Sequence, residues 1–196
     1  MATRLRFIIA LAHISHVRFV VCLTGCSGIA YGVRLLEVLP GERILVMSKT
    51  AEKLIEFEMG VPVEEVCRKA DIVFDEKDFF ASIASGSYAF DAMIVVPCSI
   101  STMAKIAHGI ADNLITRGAA VAMKQQRPLI IVPRETPLSA IMIENELKLA
   151  RSGVCILPAN PGFYHSPQSV EDIIDFVVGK ILDQLGLEHD LYKKWE

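Results

Sequence analysis

Short apolar runs with no alternating polar residues constrain the fold of this chain more than any other feature. The stretches FVVCL at 19–23, AMIVV at 92–96 and LIIV at 129–132 are apolar throughout. Strands of this kind are buried on both faces, as in parallel sheets whose crossover connections are helices. Apolar residues recur at helical spacing between them. The sequence therefore predicts an α/β fold, a three-layer doubly wound parallel sheet.

Turn signals between the runs set the predicted element bounds. Pro40-Gly41 ends one helical pattern and Gly153 another, and the segments 75–88 and 158–169 are predicted as loops. The strands are predicted at 19–24, 43–48, 71–75, 92–97, 128–133 and within 152–158. The helices are predicted at 29–39, 50–59, within 61–70, and at 101–108, 113–126, 138–151 and from 170 onward.

The chain length of 196 residues predicts one domain, over 17–187, with two appendages. Residues 1–16 carry an apolar run too short for a secretory signal, so they are predicted to be an extension outside the core. Residues 188–196 form a polar tail with the single tryptophan, Trp195, which is predicted to pack on a neighbouring surface. A hydrophobic content of 52% further predicts a homo-oligomer, because other subunits would cover part of the apolar surface.

Charge and cysteine usage exclude several function classes. The net charge of -3, with no cluster of Lys and Arg, predicts neither a nucleic-acid nor a membrane partner, so a small molecule is expected. Five cysteines without a CxxC pair predict buried thiols, no metal site and a cytoplasmic location.

Four predicted strands are followed by residues suited to anion binding. The segment 24–28 is Thr-Gly-Cys-Ser-Gly, 48–50 is Ser-Lys-Thr, 98–102 is Cys-Ser-Ile-Ser-Thr, and Arg134 precedes Glu135. Each alone is also typical of a glycine turn, a helix cap or a surface ion pair. Because the carboxyl ends of parallel strands share one edge, the four together predict a site for a phosphate-bearing ligand, in which hydroxyls and helix N-terminal amides bind the anion.

At this point the sequence resembles a known family, the UbiX-like flavin prenyltransferases. The resemblance covers residues 18–195 and rests on six motifs that occur in order. The motifs are TGCSG, ASGS, PCSISTMAKIAHGIADNLITR, VPRETPLS, ENELKLARSGV and LPANPGFYHSPQSVEDIIDFVVGKIL.

The resemblance implies a flavodoxin- or Rossmann-like flavoprotein, assembled from trimers into a dodecamer. It implies an enzyme that joins the dimethylallyl group of dimethylallyl phosphate to reduced FMN without a metal. The prenylated FMN would then serve a separate UbiD-type decarboxylase.

Site residues are implied by the same motifs. The FMN contacts would be Gly25, Cys26, Ser27, Ser48, Ser99, Ile100, Ser101, Thr102 and Arg134. The donor phosphate would be held by Ser85, Lys124, Arg134, Tyr164 and Lys180, and the prenyl chain lined by Phe79 and Trp195. The catalytic set would be Ser27 near the reacting centre, the acids Glu58 and Glu135, and Lys124.

Two alternatives stay open on the sequence. An FMN-dependent peptidyl-cysteine decarboxylase would have the same fold and would need a histidine at the flavin, for which His165 is the candidate. A flavin carrier without catalysis would have no reason to keep Lys124, Lys180 and Tyr164 around a second phosphate. Lys180 alone is also typical of a solvated lysine beside an apolar stripe.

Overall fold

Strands and helices alternate through residues 17–195, the part of the chain that the computed structural model describes. The extension predicted for 1–16 lies outside these residues, as does position 196. The strands are β1 (Arg18–Leu23), β2 (Glu42–Met47), β3 (Ile72–Asp75), β4 (Ala92–Cys98), β5 (Leu129–Pro133) and β6 (Cys155–Ile156). The helices are α1 (Ile29–Val38), α2 (Lys49–Met59), α3 (Val63–Cys67), α4 (Ile100–Ala107), α5 (Leu114–Lys124), α6 (Ala140–Arg151) and α7 (Val170–Leu185).

All six strands are parallel and lie in the order β3-β2-β1-β4-β5-β6. The chain moves outward from β1 to β3, then crosses to β4 and moves outward in the other direction. The direction reverses between β1 and β4, which is where doubly wound sheets bind ligands beyond the carboxyl ends of their strands. The predicted α/β fold, doubly wound and parallel, is confirmed.

Both faces of the sheet are buried, as the apolar runs predict. In β1 the side chains of Phe19, Val21 and Leu23 join the core formed with α1, α2 and α7. The intervening Val20 and Cys22 join the core formed with α4, α5 and α6. The alternation of a strand therefore distributes its apolar residues between two helical layers.

One segment predicted as a loop contains a short helical turn. Ser82–Ala84 form a 3-10 turn, because Ile83 and Ala84 are apolar and bury themselves against α5. Arg117 of α5 donates from Nε to the carbonyl of Ala84 at 3.0 Å. This turn fixes the start of the Ser-Gly-Ser stretch at 85–87.

The helices of residues 17–195 are all too short, or not apolar enough, to cross a lipid bilayer. The longest, α7, ends at Gly186, whose φ of 71° is the left-handed conformation that closes a helix without strain in glycine. Residues beyond Gly186 turn back along α7, and Tyr192 is buried in the core beside it.

Candidate functional site

The four loops singled out in the sequence lie side by side at one edge of the sheet. They begin at Ser48 after β2, Thr24 after β1, Ser99 after β4 and Arg134 after β5. These four strands are neighbours in the sheet, in the order β2-β1-β4-β5, and they are parallel. The prediction that the four strand ends share an edge is confirmed, and the reversal between β1 and β4 lies at its centre.

Thr24 fastens the two central loops to each other. Its hydroxyl donates to the carbonyl of Pro97 at 2.8 Å and accepts from the Ser99 amide at 2.7 Å. The side chain is almost fully buried. The sequence suggests this hydroxyl as an anion ligand. That interpretation is wrong, because the hydroxyl has one proton and already donates it to the Pro97 carbonyl.

Replacing Thr24 tests this joint. Thr24→Val keeps the shape but leaves the Ser99 amide without its acceptor, while the Pro97 carbonyl keeps only the hydrogen bond from the Thr24 backbone amide at 3.2 Å. We expect a loss of about 1–3 kcal/mol in the free energy of unfolding, measured in urea. Thr24→Ser, which keeps the hydroxyl, is the control and should lose less. A valine variant as stable as the wild type would contradict the assigned role.

Gly25 and Cys26 form the inner part of the first loop. A Cβ on Gly25 would stand 2.7 Å from the side chain of Thr50, so only glycine lets the loop lie this close to α2. Burial raises the pKa of the Cys26 thiol to about 11, although the nearby Arg134 guanidinium acts in the opposite direction. Cys26 is therefore a protonated thiol at neutral pH and not a nucleophile.

Glu58 occupies the N-terminus of α1. Its Oε2 accepts hydrogen bonds from the amides of Gly28 at 2.9 Å and Ile29 at 3.1 Å. Gly28 has a φ of 102°, a conformation that favours glycine and turns its amide toward this carboxylate. The anion at this helix terminus is thus a side chain of α2, attracted by the positive end of the α1 dipole.

Arg134 reaches across from β5 to the first loop. Its Nε donates to the carbonyl of Ser27 at 3.1 Å, while the Ser27 side chain itself is exposed. Glu135 lies beside it, exposed, with Oε1 accepting from the Thr136 amide at 3.0 Å. The edge therefore brings together a guanidinium, a free hydroxyl and two carboxylates, those of Glu58 and Glu135.

Tyr31 belongs to this surrounding and was missed by the sequence analysis. Its ring stands 3.0 Å from where a Cβ of Gly28 would lie. The Arg134 Cγ lies 3.8 Å from the same point, so the two side chains are close. Burial raises the pKa of the Tyr31 hydroxyl, and the charge of Arg134 opposes that shift. Its place in the first turn of α1, directly after the glycine loop, was the signal available in the sequence.

Two serines at this edge also cap helices. The Ser48 Oγ accepts from the Ala51 amide at 3.1 Å at the start of α2. The Ser99 Oγ accepts from the Thr102 amide at 3.3 Å and donates to the Thr102 hydroxyl at 3.0 Å. Ile100 and Thr102 are half-buried and Ser101 is exposed in the same first turn of α4.

Lys124 and Ser85 lie away from this edge. Lys124 is the last residue of α5. This helix begins beside the end of β3, where the Leu114 amide donates to the Glu76 carbonyl at 2.6 Å, and it runs back toward the start of β5. Lys124 is therefore at the amino edge and Arg134 at the carboxyl edge, separated by the five residues of β5, roughly 16 Å.

The Ser85 loop stays with Lys124. A Cβ on Gly86 would lie 3.4 Å from the Lys124 Cε, and the Ser85 hydroxyl is 2.8 Å from that of Ser87. One chain by itself therefore does not bring Ser85 and Lys124 to Arg134, and the predicted donor-phosphate cluster needs more than one subunit. The position of Lys124 shortly before a parallel strand was the sequence signal for the amino edge.

The remaining predicted residues lie at two further places. Lys180 of α7 sits over the rings of Phe176, 5.3 Å from Nζ to the centroid, and Tyr192, at 4.8 Å. Tyr164 and Trp195 meet edge to face, with centroids 5.5 Å apart. Phe79 is about half exposed in the loop after β3.

His165 lies in the same aromatic group as Tyr164. It stacks on Phe176, with centroids 5.1 Å apart and planes at 12°, and neither buried ring nitrogen has a hydrogen-bond partner among residues 17–195. It belongs to the α7 side and not to the loops at Thr24 and Ser99. Within residues 17–195, His, Cys, Asp and Glu form no group of three or more that could hold a metal ion.

Comparison with known proteins identifies the class of enzyme. The Flavoprotein family matches residues 9–182. The flavin prenyltransferase UbiX of Thermoplasma acidophilum is 50% identical over 179 residues, covering 91% of this chain and 99% of the relative. The chain belongs to the UbiX family of flavin prenyltransferases.

Two solved structures of similar proteins agree with the family. AnUbiX, crystallised with FMN and dimethylallyl pyrophosphate, is 42% identical with a TM-score of 0.90, over 92% of this chain and 98% of that one. A dodecameric FMN-dependent UbiX-like decarboxylase from Escherichia coli O157:H7 is 44% identical with a TM-score of 0.89, over 91% and 99%. The predicted family and the class of enzyme, a transferase, are confirmed, and neither alternative is favoured.

Proposed function

We propose that this UbiX family member joins the dimethylallyl group of dimethylallyl phosphate to reduced FMN. The observation that carries the proposal is the edge where four neighbouring strands end. There Arg134 donates a hydrogen bond to the Ser27 carbonyl, and Glu58 accepts one from the adjacent Gly28 amide. The similar AnUbiX was crystallised with FMN and dimethylallyl pyrophosphate, which supports FMN and a phosphate ester of the dimethylallyl group as the ligands here. Residues 17–187 would form the FMN-binding domain.

The hydroxyls and amides of this edge suit a flavin phosphate and its ribityl chain. A serine that accepts at a helix cap keeps its own proton to donate, as Ser48 does, and Ser27 and Ser101 are exposed. Arg134 adds a guanidinium that recognises phosphate through two parallel hydrogen bonds. The proposed FMN set is Gly25, Cys26, Ser27, Ser48, Ser99, Ile100, Ser101, Thr102 and Arg134.

Cations of this chain would stabilise the donor's leaving group. The allylic carbon–oxygen bond breaks and its electron pair departs with the phosphate, while positive charge develops on the dimethylallyl group. Lys124, Arg134 and Lys180 would stabilise the phosphate, and such contacts in a site that excludes water supply several kcal/mol. The rings of Phe79 and Trp195 would face the developing cation, worth about 1–2 kcal/mol per ring.

Reduced FMN would be the nucleophile, and its ring nitrogen would lose a proton as it takes up the dimethylallyl carbon. Closing the second ring would add a proton to the dimethylallyl double bond and remove one from the flavin ring, and Glu135 or the released phosphate would accept the proton removed. Both hydrogen bonds to Glu58 use its Oε2, so Oε1 would be the oxygen available for proton transfer beside Ser27.

Neighbouring subunits would complete the donor site. Lys124 and Ser85 lie at the amino edge of the sheet, so we infer that they reach the carboxyl edge of another copy. Exposed apolar residues on α6, among them Ile141 and Ile143, suit burial against further copies. The relative from Escherichia coli is dodecameric, which supports a dodecamer here, and we propose that trimers are its building unit.

The product and the location follow from the same proposal. Prenylated FMN would pass to a UbiD-type decarboxylase. All five cysteines are unpaired, which suits a reducing compartment, and we place the enzyme in the cytoplasm.

An anaerobic assay tests the function. Incubation with reduced FMN and dimethylallyl phosphate should add one five-carbon unit to the flavin, measured by mass spectrometry. Glu135→Gln should slow the appearance of this product by about 100-fold or more if the carboxylate takes the proton, the size of effect expected of a general base. An unchanged flavin mass with the wild-type protein would contradict the proposal and support the carrier.

A further inference from the structure

In the C-terminal tail, residues 188–195 of the described chain, three side chains contact one carboxylate of α7. Asp183 accepts a hydrogen bond from the Tyr192 hydroxyl at 2.6 Å and from the Lys194 ammonium at 3.0 Å. The His189 Nε2 lies 3.2 Å from the same carboxylate. We call these four residues the tail clasp. Three of them belong to the tail, so Asp183 is the point at which α7 holds it.

The clasp is shielded from water where Tyr192 meets α7. The Tyr192 ring is 7% exposed and lies on Gly179, where a Cβ would stand 2.5 Å from it. It also packs against Phe176, with centroids 4.9 Å apart. Burial by itself would raise the pKa of Asp183, but the hydrogen bonds from Tyr192, Lys194 and His189 outweigh it and hold that pKa below its usual value.

The tail touches both residues of this side that are proposed to hold the donor phosphate. The Lys180 Nζ lies over the Tyr192 ring, and it is 3.7 Å from the Asp183 carboxylate. The Trp195 ring meets the Tyr164 ring edge to face. If the tail were displaced, Lys180 would lose its contact with the Tyr192 ring, and Tyr164 would lose its contact with the Trp195 ring.

We propose that Asp183 is a positioning residue for the prenyl donor, acting through the tail that it holds. It fixes Tyr192 under Lys180 and Trp195 against Tyr164, so that a long, flexible lysine and a loop tyrosine are ordered before the donor binds. Ordering in advance lowers the entropy lost on binding and so increases affinity. The inference rests on the proposed function of Lys180 and Tyr164 as donor ligands.

Fluorescence and kinetics of full-length Asp183→Ala test the proposal. Trp195 is the only tryptophan, so its anisotropy reports the tail directly. We expect lower anisotropy, stronger quenching by acrylamide and a KM for dimethylallyl phosphate raised about tenfold, as for loss of a hydrogen bond to a charged group. The Kd for FMN should stay near wild type, whereas kcat should fall as well, because a displaced tail also removes the Trp195 ring that is proposed to face the developing cation.

Asp175→Ala is the matched control on the same helix. Asp175 pairs with Arg34 at 2.7 Å, so its loss also removes a carboxylate and an ion pair from α7 but none of the tail contacts. We expect its Trp195 anisotropy and donor KM to match those of the wild type. An equal rise of the donor KM in both variants would overturn the proposal, because general loosening of α7 would then explain it.

Tyr192→Phe weakens the clasp while the Asp183 charge stays beside Lys180. It removes the hydroxyl that donates to Asp183 and that also lies near the Lys180 ammonium, but it keeps the ring under Lys180. The proposal expects a smaller change in the same direction for both anisotropy and donor KM. Lower anisotropy with an unchanged donor KM in both clasp variants would overturn it, whereas a wild-type enzyme that forms no prenylated flavin would overturn the proposed function instead.

Discussion

Enzymes with Arg134→Met or Lys124→Met should each lose at least about 100-fold in prenyl transfer, and oligomers containing both chains should recover much of it. Arg134 is at the carboxyl edge of the sheet and Lys124 at the amino edge. If each site takes its arginine from one subunit and its lysine from another, random mixing of equal amounts leaves about one quarter of the sites with both native side chains.

Co-expression of two differently tagged chains, followed by purification on both tags, provides the mixed oligomers. The rate of prenylated FMN formation is the measurement. Arg134→Met mixed with Glu135→Gln is the control, because these neighbours share one loop and no mixed site has both native residues. Recovery in the control, or none in the Arg134 and Lys124 mixture, would contradict a site shared between subunits.

Gly32→Ala should destabilise the protein strongly although alanine favours helices. A Cβ at this position of α1 would stand 2.3 Å from the Leu23 Cδ2 and 2.4 Å from the Val96 carbonyl oxygen. A backbone oxygen cannot rotate away, so α1 would have to move off the sheet at the reversal between β1 and β4. We expect a loss of about 1–3 kcal/mol or more, as for other overpacked cores, against the ~1 kcal/mol that alanine gains over glycine in a helix.

Gly118→Ala is the control in the opposite helical layer. There the nearest atoms are the Met93 Cε at 3.3 Å and Sδ at 3.4 Å, the flexible end of a side chain. We expect Gly118→Ala to be neutral or stabilising, with the two Tm values compared at one protein concentration since subunit association also stabilises. A Gly32→Ala variant as stable as Gly118→Ala would refute the close approach of α1. The flavin affinity of Gly32→Ala should fall as well, because α1 carries the Gly28 loop.

Local patterns were enough to predict the parallel sheet, because a strand that is buried on both faces has no polar positions. β4 shows this most clearly, since Ala92–Cys98 is buried at every residue. The edge of the site could be predicted for a related reason. Whatever follows a parallel strand lies at the carboxyl edge, so the loops after β1, β2, β4 and β5 had to meet there.

The individual contacts of the site depend on residues far apart in sequence. The hydroxyl of Thr24 bonds the backbone at 97 and 99, and the Glu58 carboxylate caps a helix that begins at Ile29. A serine, threonine or glutamate reads the same in the sequence whether its side chain binds a ligand or the backbone. Only the path of the chain decides which of them are still free.

The sequence by itself therefore determined the layers, the strand direction and the edge that carries the polar loops, because each follows from periodicity and chain order. Chain order also places Lys124, shortly before β5, at the edge opposite Arg134. The tertiary structure decided that the Thr24 hydroxyl is used within the fold and that Asp183 holds the tail on α7. These depend on long-range packing. No local pattern encodes them, because the partners come close only when the whole chain is folded.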